Sequence, residues 1–351
     1  MTIETYHFET GMYRPPSEGG SASLLVRFTR NCPWNHCAFC SMYKTEKFSL
    51  RPVEEIKADI DAMAALAEKM RTLSEAAGGQ AGRVTRDGVL ALLDREPALE
   101  QHPGLAMLVH WLMAGAKTAF IQDANSLIMK TPDLVAALTH LKTTFPHIRR
   151  ITTYARARTV AQKSAQDLEA IRKAGLDRLH LGLETGDDEL LTFIKKGVTS
   201  DGQIKGGKKA VDAGFQVSEY WMPGLGGREK SLDHAKNTAR VLNAIDPHYI
   251  RSRPFRAIPG TLLHQMVKDG SITMLSAREQ LEELKTMIQE LEVTGRVCFD
   301  HAMNHWQRPG GGLLFSHDYE GYRFPEEKPR LLALIQEGLA YDQPAPSLLH
   351  F

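Results

Sequence analysis

The sequence predicts an α/β fold in which helices cover a mainly parallel β-sheet. Two observations support this prediction. Short apolar runs and longer amphipathic segments alternate six times between residues 24 and 253, which is typical of parallel strands joined by helical crossovers. The chain also has 351 residues, of which 42% are hydrophobic and 24% are charged. It is therefore long enough for one barrel-sized domain with an extension, and its composition is that of a globular protein.

Six predicted strands build the sheet. Each is a short run rich in apolar residues. They cover Leu24–Phe28, Thr118–Ile121, Ile148–Tyr154, Arg178–Leu183, Phe215–Trp221 and Tyr249–Arg253. Functional groups gather at the carboxyl ends of the strands in such sheets, so the residues at these ends are the first candidates for a site.

Predicted helices alternate with the strands. The first covers Val53–Met70, where apolar residues at positions 56, 60, 63, 67 and 70 fall on one helical face. The other predicted helices are Asp87–Asp94, Pro132–Thr143, Ala165–Ala174, Asp187–Ile194, Ile204–Ala213, Leu232–Ala244, Ala277–Val293 and a last one that begins near Glu326.

Three regions follow from this pattern. Residues 1–23 are predicted to be an irregular lead-in, because residues 10–23 are rich in Gly, Pro and Ser. Residues 24–262 form the core, with an insertion at about residues 71–103. Residues 271–351 form a mainly helical extension, which we expect to cover the open end of the core.

Composition and charge narrow the class of protein. The net charge is +1, so the whole chain shows no bias towards polyanions, and we expect a small-molecule substrate rather than nucleic acid. The sequence has no run of about 18 apolar residues that could span a membrane, and its N-terminus lacks the apolar segment of a signal peptide. Clustered thiols favour a reducing compartment, which predicts a cytoplasmic protein without membrane partners.

Three of the four cysteines lie within nine residues. Cys32, Cys37 and Cys40 have the spacing C-x4-C-x2-C, and Cys298 is far away in the sequence. A chain with few cysteines that groups three of them is typical of a metal site rather than of disulfides. Three thiolates are one fewer than the four that close a structural zinc site or an iron–sulfur cluster. On a [4Fe–4S] cluster they leave one iron open to a small molecule.

Two other interpretations of the cysteine group stay open. The chain could be a zinc-stabilised α/β binding protein in which His36 supplies the fourth ligand. It could also be a non-catalytic iron–sulfur electron-transfer protein that takes its fourth ligand from His36 or Cys298.

Three segments, Leu24–Tyr43, Thr118–Met129 and Leu179–Thr199, resemble radical S-adenosylmethionine (SAM) enzymes. Leu24–Tyr43 is similar to their first strand and cysteine loop, including the aromatic Phe39 before the last cysteine, although the usual spacing is C-x3-C-x2-C. Leu179–Thr199 resembles the branch of oxygen-independent coproporphyrinogen oxidases, methylthiotransferases and Elongator-type enzymes. The branch shares a sequence motif in which a strand is followed by Gly-Leu-Glu-Ser/Thr-Gly. Acidic residues then begin a helix, and a basic residue precedes a later glycine. The matching residues here are Gly182–Gly186 and Lys196.

The resemblance implies a partial (β/α)6 TIM-like barrel with two cofactors, a [4Fe–4S] cluster and SAM. Cys32, Cys37 and Cys40 would ligate three irons, and SAM would bind the fourth. Reduced flavodoxin or ferredoxin would supply the electron that cleaves SAM. The resulting 5′-deoxyadenosyl radical would abstract hydrogen from the substrate.

The same resemblance predicts the residues that bind SAM. Asp123 or Asn125 would accept hydrogen bonds from its ammonium group, because a carboxylate makes strong charge-assisted hydrogen bonds. Glu184 would contact the ribose hydroxyls or the amino group, and Lys196 would pair with the carboxylate. The full predicted set is Phe39, Gln122, Asp123, Asn125, Glu184, Lys196, Tyr220, Phe255 and Arg256. Alternatively, Asp123 or Asn125 caps the following helix.

Five further residues are predicted to face the substrate as catalytic residues. They are Tyr154, Arg156, Asp300, His301 and Asn304. A structural salt bridge is the alternative role for Arg156. If Val297–Trp306 is helical, Cys298, His301 and His305 share one face, which offers a second possible metal site.

Overall fold

A computed structural model of the chain describes residues 6–11 and 22–343. Most of the predicted N-terminal lead-in lies outside the described residues, as do residues 344–351 of the predicted extension. The chain forms two compact units. The first unit comprises Met1–Pro33, Lys47–Tyr154 and Ala165–Arg178, and the second comprises Trp34–Glu46, Ala155–Ser164 and Leu179–Phe351.

Strands and helices alternate through most of the described chain. The strands are β1 (Ser23–Arg27), β2 (Thr29–Arg30), β3 (Ser49–Leu50), β4 (Thr118–Gln122), β5 (Arg150–Ala155), β6 (Arg178–Glu184), β7 (Gln216–Trp221), β8 (Tyr249–Ser252), β9 (Arg296–Cys298) and β10 (Tyr322–Arg323). The helices are α1 (Val53–Ala76), α2 (Arg86–Arg95), α3 (Leu105–Met113), α4 (Thr131–Thr144), α5 (Ala157–Gln162), α6 (Ala165–Lys173), α7 (Asp188–Phe193), α8 (Ser200–Asp212), α9 (Gly227–Ile245), α10 (Leu262–Lys268), α11 (Ala277–Glu290) and α12 (Lys328–Leu339).

In the first unit, β4 lies between β1 and β5, and the three strands are parallel. Arg27 at the end of β1 is paired in register with Gln122 at the end of β4, so both strands end at the same edge of the sheet. Helix α1 packs against α2, α3 and α4. The five apolar positions predicted for its inner face are all buried, which confirms the predicted face.

In the second unit, the strand order is β6–β7–β8–β9–β10. Strands β7, β8 and β9 are parallel, and β10 is antiparallel to β9. A large apolar cluster that includes Trp221, Leu242, Leu284, Phe299 and Ile335 packs α9, α11 and α12 with these strands. Burial of this surface supplies the main stabilisation of the unit.

The predicted α/β fold class with a mainly parallel sheet is confirmed. All six predicted strands are present, with ends that differ by no more than two residues. Among residues 6–11 and 22–343, no helix combines the length and the apolar character needed to cross a bilayer.

Several helices differ from the predictions, and α5 and α10 are among those that were not predicted. Helix α3 was not predicted, because its sequence LAMLVHWLM is apolar almost throughout and so lacks the periodicity of an amphipathic helix. The conditional helix Val297–Trp306 does not form. Its first residues instead belong to β9, which pairs with β8, so Cys298, His301 and His305 do not share a helical face.

Ser276 provides a test of local stability in the second unit. Its hydroxyl accepts a hydrogen bond from the Glu279 N–H at 3.2 Å, and the Glu279 carboxylate accepts one from the Ser276 N–H at 2.8 Å. This capping box satisfies two N–H groups at the start of α11. We expect Ser276→Ala to lower the free energy of unfolding by about 1 kcal/mol. Urea titration would measure the change, and an unaltered midpoint would contradict the capping role.

Candidate functional site

In the first unit, Asp123 binds the backbone that leads to Cys32. Its carboxylate accepts hydrogen bonds from the Asn31 N–H at 2.8 Å and from Arg27 Nε at 2.9 Å. Asn31 has a φ of 67°, a left-handed conformation that asparagine tolerates better than most residues. Asp123 thus positions the residue immediately before the first cysteine. Its predicted contact with the SAM ammonium stays a prediction.

The other predicted residues of the first unit lie near the same strand ends. The Gln122 amide forms two hydrogen bonds with the Gly11 backbone, at 2.9 and 3.2 Å. Asn125 is buried, and its side chain does not cap the turn that follows. The ring of Tyr154 is half-buried and makes an edge contact with Phe120 at a centroid distance of 5.2 Å. Their predicted roles towards SAM or substrate stay predictions.

In the second unit, Glu184 and Lys196 form a largely buried ion pair. Lys196 Nζ lies 2.7 Å from Glu184 Oε1, and the two side chains are only 10% and 13% exposed. Glu184 ends β6 with a φ of 63°, so the chain turns sharply after it. A Cβ atom on Gly182 would lie 2.5 Å from Glu184 Oε1 and 2.8 Å from Lys196 Nζ. Glycine therefore leaves the space in which the two charges meet.

This ion pair lies close enough to Cys37 for their charges to interact. Burial raises the pKa of the Cys37 thiol, the Lys196 ammonium opposes that rise, and the Glu184 carboxylate adds to it. Burial lowers the pKa of Lys196, but the charges of Glu184 and Cys37 outweigh burial, so the net shift is upward. Lys196 therefore stays cationic, and its charge offsets part of the rise in the pKa of Cys37, whose thiolate is the form that binds a metal.

The cysteine loop offers a suitable donor set for iron. Cys32, Cys37 and Cys40 are all half-buried, and soft thiolates suit an iron–sulfur cluster. Among the described residues, three or more His, Cys, Asp or Glu side chains nowhere come together at metal-binding distances. The assignment of the three cysteines as ligands therefore rests on their chemistry and spacing, and it stays a prediction.

Arg156 lies beside the same loop. Its Nη2 donates a hydrogen bond to the Lys196 carbonyl at 2.5 Å, and its guanidinium lies 4.7 Å from the centre of the Trp34 ring. These contacts give Arg156 a positioning role near Lys196. The predicted contact with substrate or SAM stays a prediction.

Two predicted aromatic residues share an apolar cluster next to the cysteine loop. Phe255 is buried in a cluster with Ala38, Met222 and Leu225, and Phe39 packs against the same cluster. Such a surface suits the adenine ring of a nucleoside, and their predicted contact with SAM stays a prediction. Tyr220, at the end of β7, is half-buried and makes an edge contact with His180.

Two of the predicted substrate residues near β8 and β9 already use their polar side chains in contacts within the protein. Asp300 forms an ion pair with Arg251 at 2.8 Å. The buried Asn304 side chain bonds to Ser252 and to the His301 backbone. Their predicted contact with substrate stays a prediction.

Among the predicted substrate residues, His301 has an imidazole whose neutral form is favoured by its surroundings. Burial first, and then electrostatic interactions with Arg253, Arg256 and His317, lower the pKa of His301 to about 4. The predicted contact of Arg256 with SAM stays a prediction.

Glu219 is a buried acid that sequence analysis did not single out. It lies in β7 with 1% of its surface exposed, and its Oε1 has no hydrogen-bond partner among the described residues. Burial raises its pKa well above the ordinary value of 4.5, Lys196 opposes the rise, and Glu184 adds to it. The only sequence signal was a charged residue within an otherwise buried strand.

The protonation of Glu219 predicts a pH-dependent stability. The unfolded chain releases this proton near pH 4.5, whereas the folded protein retains it to higher pH. The folded state then binds more protons, so this residue makes the free energy of unfolding fall as pH rises above about 4.5. We therefore expect Glu219→Gln to gain stability relative to wild type as pH rises.

Urea unfolding of the cofactor-free wild type and variant at several pH values would measure this trend. Glu54→Gln, a change at an exposed position, is the control. A stability difference between Glu219→Gln and wild type that does not vary with pH would contradict the prediction.

Comparisons with known proteins match parts of this chain. The Radical SAM superfamily matches residues 104–242, a range that begins after the cysteine loop. The tRNA uridine(34) acetyltransferase of Methanocaldococcus jannaschii is 30% identical over 119 residues, which are 33% of this chain and 22% of that protein. The heme chaperone HemW of Bacillus subtilis is 28% identical over 134 residues, 38% of this chain and 35% of that protein. The matched segments thus span only about a quarter to a third of these relatives.

Solved structures give distant similarities. Coproporphyrinogen III oxidase from Escherichia coli has a TM-score of 0.46 at 14% identity, covering 76% of this chain and 51% of that one. Methylornithine synthase has a TM-score of 0.44 at 16% identity, covering 79% and 67%. Residues 104–242 of this chain thus match the radical SAM superfamily, whose cofactors are a [4Fe–4S] cluster and SAM.

Proposed function

We propose that this protein is a radical SAM enzyme that acts on a small-molecule substrate. The observation that carries the proposal is the buried Glu184–Lys196 pair, whose charges interact with Cys37. With both cofactors bound, the site would supply a 5′-deoxyadenosyl radical that abstracts hydrogen from the substrate. Reduced flavodoxin or ferredoxin would be the electron donor.

The residues of the chain would bind and orient the cofactors. Cys32, Cys37 and Cys40 would hold the cluster. Lys196 would attract the carboxylate of SAM, and Glu184 would accept hydrogen bonds from its hydroxyl or amino groups. The apolar cluster with Phe39 and Phe255 would exclude water from the adenine, which strengthens the electrostatic contacts nearby.

The positive group near His301 supports an anionic small molecule as the substrate. Arg253, Arg256 and His317 all act on the pKa of His301, and arginine binds carboxylate and phosphate groups well. The net charge of +1 gives no wider attraction to a polyanion.

A second candidate function is RNA modification. It is favoured by the 30% identity to a protein named tRNA uridine(34) acetyltransferase, although the matched segment is 22% of that relative. The two candidates differ in substrate and share the same cofactor chemistry.

Anaerobic turnover of the reconstituted protein tests the proposal. We expect formation of 5′-deoxyadenosine that depends on SAM, on a reductant and on an anionic metabolite in the assay. Stimulation by tRNA alone would favour the second candidate. Stoichiometric zinc without iron in anaerobically purified protein would instead support a zinc-stabilised binding protein. An electron paramagnetic resonance signal that SAM does not alter would support an electron carrier.

A further inference from the structure

Three successive carbonyl groups follow helix α7, and each accepts a hydrogen bond from outside the helix. The Ile194 carbonyl accepts one from the Ala38 N–H at 2.9 Å. The Lys195 carbonyl accepts one from Trp34 Nε1 at 2.7 Å, and the Lys196 carbonyl accepts one from Arg156 at 2.5 Å. The last carbonyls of a helix have no partner within it. Here, two of the three donors belong to the cysteine loop.

The Trp34 ring is seated on Gly197. A Cβ atom at position 197 would lie 2.2 Å from Trp34 Cζ2, and the φ of Gly197 is 72°. Any other side chain there would displace the ring and strain the backbone. Arg156 lies over the ring at 4.7 Å, within the range of a cation–π interaction. The indole is therefore held by a hydrogen bond, by a glycine and by an arginine.

The segment that binds the indole also carries Lys196. The Lys196 side chain reaches Glu184 at 2.7 Å, and the two side chains are largely buried. Trp34 lies in the four-residue spacer between Cys32 and Cys37, which is one residue longer than the usual family spacing. The indole therefore links the spacer to Lys195, through its N–H hydrogen bond, and to Gly197, against which its ring packs.

We propose that Trp34 is a positioning residue, which holds the cysteine loop in register with Lys196 so that a ligand can reach both. This inference rests on the proposed function, because the ligand is SAM bound at the cluster. The Ala38 hydrogen bond to Ile194 remains in the absence of the indole N–H, so the loop should still bind iron. The expected loss is in SAM affinity rather than in cluster assembly.

Trp34→Phe is the test variant, because it keeps a ring on Gly197 and removes the N–H donor. Loss of one neutral hydrogen bond, about 1 kcal/mol, predicts a roughly fivefold weaker SAM affinity in calorimetry on reconstituted protein. Iron content should equal that of wild type. Lys195→Ala is the matched control, because it removes an exposed side chain and keeps the carbonyl that the indole binds. It should bind SAM like wild type.

A double-mutant cycle separates positioning through Lys196 from a general effect on the fold. Trp34→Phe should weaken SAM binding in the wild-type background and have no further effect in Lys196→Met. An equal loss in both backgrounds, or no loss in either, would overturn the role of Trp34.

Gly197→Ala is a second variant, which should displace the ring and weaken SAM binding at least as much as Trp34→Phe. Unchanged affinity in Gly197→Ala would count against the positioning role. If reconstituted wild type itself fails to bind SAM, the proposed function falls and the Trp34 inference falls with it. Wild-type binding that Trp34→Phe does not weaken rejects only the inference.

Discussion

Alanine at Cys32, Cys37 or Cys40 is expected to abolish assembly of the iron–sulfur cluster. Each change removes one of three thiolates, and the fourth cysteine, Cys298, is distant in the sequence and ends β9. A [4Fe–4S] cluster held by two thiolates would lack a ligand on a second iron. Iron content and the visible absorbance of anaerobically reconstituted protein would measure the effect, which should approach complete loss.

Cys298→Ala is the matched control for these three variants. Its thiol is fully buried, and burial raises its pKa to about 12, so it behaves as a small apolar side chain. The variant should retain wild-type iron content despite some loss of packing. Near-normal iron in any of the first three variants would remove that cysteine from the ligand set.

Glu184→Gln is expected to weaken SAM binding by roughly ten- to a hundredfold while the cluster still assembles. A charge-assisted hydrogen bond contributes about 1.5–3 kcal/mol, which corresponds to that range of affinity. The change also removes the carboxylate that pairs with Lys196 at 2.7 Å, so the lysine loses its fixed position. Calorimetry on the reconstituted variant would measure SAM affinity, and iron analysis would measure cluster content.

Glu189→Gln is the control for Glu184→Gln. Glu189 is 81% exposed and pairs with Lys230 on the surface, so the same change of charge there should leave SAM affinity intact. Wild-type affinity in Glu184→Gln would reduce Glu184 to a structural partner of Lys196. The assignment of the cysteines would not depend on that outcome.

Local patterns in the sequence were enough to predict the sheet and part of the site. The strands were found because each is a short apolar run between turn residues. The Glu184–Lys196 pair was anticipated through two residues of one motif, only twelve positions apart, although their direct contact was not. The helix α3 was missed because its side chains are apolar on every face, which leaves no period to detect.

Contacts between distant residues explain what the sequence could not predict. Asp123 bonds to Asn31, and the two are separated by 92 positions. Trp34 bonds to the Lys195 carbonyl across 161 positions, and nothing local marks that tryptophan as an anchor. Glu219 is unusual only once burial is known. Strand β9 has three residues, too few for an alternating pattern.

The absence of a side chain at Gly182 means that this position controls the site by size alone. Its backbone does not require glycine by a positive φ, so a larger side chain there would act by pushing Glu184 and Lys196 apart. A relative with alanine at this position would retain every charged residue and still hold a rearranged pair. A sequence comparison that considers only the polar residues would treat such proteins as equivalent, although the geometry of the Glu184–Lys196 pair would differ between them.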